Sequence, residues 1–200
     1  MLTRLTFTMR TKDDKIIIKQ VLKGDVAAFS VLIDRYRHMV YTLAFQITKN
    51  KSDAEEVAQD AFLKAFQALA SFEGRASFST WIYQITFHQA ISKIRQNKKH
   101  NLSYKENISN ENSPLTDDNI TGQLLEREDR KRFLNEALSR LKGEESFILI
   151  LYYYEDLNIE EIAKITGYSA TNVKVRLFRA RLKLHNELKI LLKLETNSLL

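Results

Sequence analysis

The side chains able to do chemistry in this chain fall into three groups. The first is acidic: Asp53, Glu55, Glu56 and Asp60 lie close together, and Glu56 and Asp60 are four apart, so on a helix they share a face. Such a run could ligate a divalent cation or dock a basic partner. Acids at a helix start are equally explained by the macrodipole they oppose. A metal would need convergent ligands from elsewhere in the chain, and the sequence shows none. There is no cysteine, which excludes disulfides, thiolate catalysis and Cys-ligated zinc. The histidines His38, His88, His100 and His185 are far apart, and none has HExxH spacing. A metal-dependent nuclease built on Asp53, Glu56 and Asp60 therefore fits poorly, and neither a metal nor a cofactor is expected.

The second group interleaves aromatic and basic residues: Phe72, Arg75, Phe78, Trp81, Tyr83, Phe87, His88, Lys93, Arg95, Lys98 and Lys99. Rings of this kind stack on unpaired bases while the cations hold phosphates. Burial in a core is at least as good a reading for Trp81. Arg75, Lys93, Arg95, Lys98 and Lys99 are harder to bury and suit phosphate contacts.

The third group lies near the C-terminus. Lys174, Arg176, Arg179, Arg181 and Lys183 share a helical stretch with no acid before Glu187. Immediately before it, Asn158 and Glu161 have capping-box spacing, flanked by Leu157 and Ile162 as a hydrophobic staple. Gly167 can end that helix in the left-handed conformation, and Ser169 can cap the next. The small residues Ala163 and Gly167, with apolar Val173 beyond them, suit two closely crossing helices: a helix-turn-helix. Thr171 and Asn172 then occupy the first turn, where a recognition helix meets base edges.

The elements that must position these groups read as helices. Of 200 residues, 44% are apolar and 28% charged, with only five glycines and one proline, too few turn residues for a sandwich or barrel. Apolar residues recur at steps of three and four from Val21 to Ile47. Ser52 to Glu55 reads as a capping box opening a second helix through Val57, Ala61, Phe62, Ala65 and Leu69, which Phe72–Gly74 breaks. A third stretch begins at Phe78. The expected fold is all-α: a helical domain over 15–99, a polar linker over 100–122 that contains Pro114, and a helix-turn-helix domain over 123–190. Net charge is +6, which suits a polyanion partner. No apolar run is long enough to span a bilayer, and MLTRLTFTMR is too short and polar for a signal sequence; a cytoplasmic location is expected.

Two segments resemble a known family. DAEEVAQDAFLKAFQALASFEGRASFSTWIYQITFHQAISKIRQ resembles region two of the bacterial sigma-70 family, and IEEIAKITGYSATNVKVRLFRARLKL resembles its region four. The likeness covers Lys23 to Lys99 and Leu124 to Leu188, and the short connection resembles the extracytoplasmic-function group. It implies a polymerase-clamp contact through Glu56, Gln59, Asp60 and Lys64. It implies that the segment from Phe72 to Lys99 melts and reads the −10 element, through Arg75, Ser77, Phe78 and Ser79 in the loop and His88, Lys93 and Arg95 on the helix. Lys98 and Lys99 remain phosphate candidates there. The helix from Ala170 to Lys183 would read the −35 element through Ser169, Thr171, Asn172, Lys174, Arg176 and Arg179.

His88 stands where the family usually has Asn, and Ser92 where it often has Asp; these bear on which −10 bases are read, not on the role. Lys142–Gly143 replaces a usual proline, a departure expected to alter only a helix start. The partners implied are core RNA polymerase, promoter DNA and an anti-sigma factor, often membrane-bound, with no small-molecule substrate. The protein itself would not be an enzyme. A linker of about 24 residues extends to roughly 80 Å, and two turns of duplex measure about 70 Å, so two modules could occupy one face of the DNA. The alternatives are a stand-alone helix-turn-helix regulator that binds DNA without polymerase, and a helical adaptor whose basic helix is only a solvated face.

Overall fold

The computed structural model describes residues 13–103 and 123–198, with side-chain surroundings for 13–99 and 131–192. Every regular element among the described residues is helical. Helix α1 covers 13–22. A short 3-10 turn over Val26–Ala28 follows, with the Asp25 carboxylate accepting from the Ala28 N–H, and leads into α2, Phe29–Thr48. Its buried stripe of Phe29, Leu32, Tyr36, Val40, Leu43, Ala44 and Ile47 keeps the three-and-four rhythm read from the sequence. Asp14 pins α1 to α2. It is 1% exposed and accepts from the Arg35 guanidinium and, at 2.5 Å, from the Tyr36 hydroxyl. Burial pushes the Asp14 carboxyl upward in pKa against the pull of those two donors.

Helix α2 ends where Lys49 turns left-handed (φ 55°). Helix α3, Lys51–Gln67, is capped by Asn50, whose side chain accepts from the Asp53 N–H at 3.0 Å. The capping box expected at Ser52 is thus displaced. The turn at Lys49 leaves Asn50 extended and free to cap, and Ser52 falls inside the first turn. A 3-10 turn at Leu69–Ser71 precedes α4, Phe78–Ser103.

Helices α5 (Gln123–Arg140), α6 (Gly143–Tyr153), α7 (Ile159–Thr166) and α8 (Ala170–Ser198) complete the described chain. Helix α6 is buried from Ser146 through Leu151, on all sides rather than along one stripe. It packs against α2 as well as α8, and α7 packs against α4, so an apolar surface all round is what its position demands. The buried residues of both halves form one continuous cluster. Gly143 marks a close approach: a Cβ there would lie 2.7 Å from Ile47 Cα and 2.8 Å from the Gln46 carbonyl oxygen. The Lys142–Gly143 departure therefore does more than set a helix start. It lets the α6 N-terminus rest directly on the C-terminal backbone of α2.

Candidate nucleic-acid interface

The helix-turn-helix closes by local hydrogen bonds. The Asn158 side chain accepts from the Glu161 N–H, and the Asn158 N–H donates to the Glu161 carboxylate, each at 2.9 Å. Gly167 adopts φ 75° and its N–H returns to the Ala163 carbonyl at 2.9 Å. The Ser169 hydroxyl then accepts from the Asn172 N–H at 3.2 Å and caps α8. Buried Val173, Leu177 and Ala180 hold α8 down.

Thr171, Lys174, Val175, Phe178 and Arg179 are exposed on α8. Phe178 is 67% exposed and Val175 41%, large apolar groups left in solvent beside two cations. The sequence reading missed both. The signal was present, since Phe178 falls one residue off the buried stripe through Leu177. Arg176 behaves differently. Its guanidinium pairs with the Glu144 carboxylate at 2.9 Å, lies 4.2 Å from the Tyr168 ring centroid, and donates through Nε to Asn172 at 2.9 Å. Burial and the hydrogen bond to Glu144 push the Tyr168 phenol up to about 12. Arg181 lies over Tyr152 and Tyr153, and Lys183 pairs with Glu145 at 2.6 Å. Of the basic run, Lys174 and Arg179 make neither an ion pair nor a ring contact among the described residues.

In the loop before α4, Gly74 takes φ 69° and Ser77 caps the helix, accepting from the Thr80 N–H at 3.1 Å. Phe78 and Ser79, expected as base contacts, are 2% and 3% exposed. As the first residues of α4 they face inward, with Phe78 against Tyr36, Phe72 and Trp81. The aromatics that reach the surface are instead Phe72 and Trp81, with ring centroids 4.9 Å apart. They line a cleft of about 360 Å³ together with Arg75, Thr80, Gln84 and, from α7, Lys164. Gln84 and Lys164 were not singled out from the sequence. Arg75 is solvent-exposed and pairs with Glu73. His88, Arg95, Lys98 and Lys99 lie exposed along α4.

On α3, Glu56, Gln59, Asp60 and Lys64 are exposed, opposite buried Ala54, Val57, Ala61 and Ala65. Leu63, 54% exposed, stands among them. Lys93, expected to contact phosphate, is turned to this acidic helix: its ammonium lies 2.5 Å from Glu56 and 3.6 Å from Asp53, and Glu56 raises its pKa. Asn97 donates to Asp53 at 2.8 Å. The acids at the head of α3 are thus stitched to α4, and no group of three or more His, Asp or Glu side chains among the described residues could hold a metal.

Comparison with known proteins gives this geometry its context. Residues 32–100 match the model of Sigma-70 region 2, and residues 134–184 that of Sigma-70, region 4. The RNA polymerase sigma factor YlaC of Bacillus subtilis is 35% identical over 76% of this chain and 87% of its own length. The ECF RNA polymerase sigma-E factor of Escherichia coli is 30% identical over 90% and 96%. In fold, the chain is similar to the sigma factor RpoE of Bartonella quintana, solved with the anti-sigma factor NepR, at TM-score 0.68 and 20% identity over 81% of this chain and 97% of that one.

The chain belongs to the sigma-70 family of RNA polymerase sigma factors, in its extracytoplasmic-function group. It binds core RNA polymerase and directs promoter recognition, −10 melting and transcription initiation.

Proposed function

We propose that the surfaces described above divide this work. The face of α3 carrying Glu56, Gln59, Asp60, Lys64 and Leu63 docks core polymerase. The cleft between Phe72 and Trp81, with Arg75 at its edge and His88, Arg95, Lys98 and Lys99 along α4, holds unstacked bases and phosphates of the −10 element. Binding the melted strand better than the duplex shifts the equilibrium toward melting. The α8 face, with Ser169, Thr171 and Asn172 at its start and Lys174, Val175, Phe178 and Arg179 beyond, enters the major groove at −35. There the cations meet phosphates or guanine edges and the apolar groups meet thymine methyls. The observation that carries this reading is that exposed α8 face, presented by a fully capped helix-turn-helix.

On this reading the protein is not itself an enzyme: polymerase does the chemistry. The domains divide at 15–99 and 123–190, with 100–122 between them. No described helix is long and apolar enough to cross a membrane, in keeping with action in the cytoplasm. An anti-sigma factor is the remaining partner, in keeping with the partner-bound form of the Bartonella relative. In-vitro transcription with bacterial core polymerase and a promoter library tests the assignment. Protein-dependent transcripts from a shared pair of elements are expected. No transcripts and no co-elution with core would overturn it in favour of a stand-alone regulator.

A further inference from the structure

We propose that Arg176 sets the base preference of α8 without itself reading a base: it holds the Asn172 amide so that only donors face the major groove, and Asn172 thereby selects guanine over adenine at the base pair it meets. The proposal rests on the reading of α8 as the −35 helix. Its first support is a bond whose direction chemistry fixes. Asn172 is exposed in the first turn of α8, and its side-chain oxygen accepts from Arg176 Nε at 2.9 Å. A guanidinium can only donate, so the amide atom that meets it must be Oδ1. The Nδ2 amino group, with two N–H donors, makes no hydrogen bond among the described residues.

The second support is that Arg176 is itself anchored. Its Nη1 donates to Glu144 at 2.9 Å, and its guanidinium carbon lies 4.2 Å from the Tyr168 ring centroid. The Tyr168 hydroxyl donates to the same Glu144 carboxylate. Helix α6 and the turn before α8 thus each supply one of the groups that fix this side chain. A guanidinium held by a charge-assisted bond on one side and an aromatic face on another keeps its Nε in place. The Asn172 amide is therefore oriented before DNA arrives.

The third support is the pattern of groups on the base edges. In the major groove adenine shows an N6 amino donor beside its N7 acceptor, and an asparagine with both ends of its amide free pairs with the two at once. Here the oxygen is already taken. Only donors remain, and against adenine a donor meets a donor. Guanine shows acceptors at both O6 and N7. A donor-only amide therefore matches guanine and mismatches adenine, and a donor left unpaired in a desolvated contact is costly.

The test uses the full-length protein with core polymerase and a promoter library randomised across the −35 element. Asn172→Ala should flatten the preference at one base pair and so mark the pair that Asn172 meets. At that pair the wild type should favour guanine over adenine about tenfold. Arg176→Met keeps a stem against Tyr168 but has no N–H. It should bring that ratio to about one or invert it, with the preferences at the other pairs unchanged. Glu144→Gln leaves Arg176 in place but loosens its anchor. It should shift the ratio the same way by a smaller factor, and it decides the matter if Arg176→Met fails to fold. Adenine favoured at the marked pair in the wild type, or an unchanged ratio in both variants, would overturn the proposal. So would Asn172→Ala weakening all sequences equally, as loss of a phosphate contact does. Wild-type transcription indifferent to the −35 sequence would instead defeat the reading of α8 itself, and the proposal with it.

Discussion

Phe178 shows how much of the reading surface depends on single side chains. A ring 67% exposed stabilises the fold little, so Phe178→Ala should leave thermal stability unchanged. It should weaken promoter binding by the polymerase complex by about 1–2 kcal/mol, selectively at one base position, in the range of a single base-pair change. Lys174→Ala and Arg179→Ala should each lower the slope of log affinity against log salt by about 1, as loss of a phosphate contact does. Titration of holoenzyme on promoter DNA across salt concentrations checks both. Charge reversal by Asp60→Lys should weaken core binding in a co-elution or fluorescence titration, and an unchanged affinity would place the polymerase face elsewhere. Lys93 is drawn to Glu56 instead of DNA because α4 lies against the acidic head of α3. At such an exposed pair the gain is small, about 0.2–1 kcal/mol, so a stronger partner for Glu56 would release it.

At the scale of elements, the helix-turn-helix depends on its terminal residues. Asn158→Ala removes the side-chain half of the capping box, leaving the backbone N–H of residue 158 to Glu161, and should cost about 1 kcal/mol of stability. Gly167→Ala forces a Cβ into the left-handed region at φ 75° and should cost about 1–2 kcal/mol. Denaturant unfolding followed by circular dichroism reads both. Helix α3 shows the limit of such motifs. Ser52 and Glu55 have capping-box spacing, yet Asn50 caps the helix. The choice was made by the left-handed turn at Lys49, a conformation that a lysine in sequence does not announce.

Across the whole molecule, stability should depend on pH through Lys49, buried where α2 meets the C-terminal helices. Burial pulls its ammonium from 10.5 down to about 8. Because the packed state binds this proton less tightly, the penalty is fully present below about 8 and fades as pH rises from about 8 toward 10.5. The stability gained by Lys49→Met, read by denaturant unfolding, should therefore shrink over that window. A gain constant with pH would show that the Lys49 ammonium is not desolvated in the folded protein.

The sequence by itself determined the helical class, the rhythm of α2 and the helix-turn-helix. Scarce glycine and proline, repeats at three and four, and caps that bond within four residues are local matters. Tertiary structure decided which of the expected contact residues face outward. Phe78 and Ser79 went inside because the start of α4 packs into an aromatic cluster. Arg176 and Lys93 found acids 32 and 37 residues away, and Tyr83 met Glu155 across 72. Such pairings depend on how entire helices stack, and the spacing along one helix carries no record of what lies against its other face.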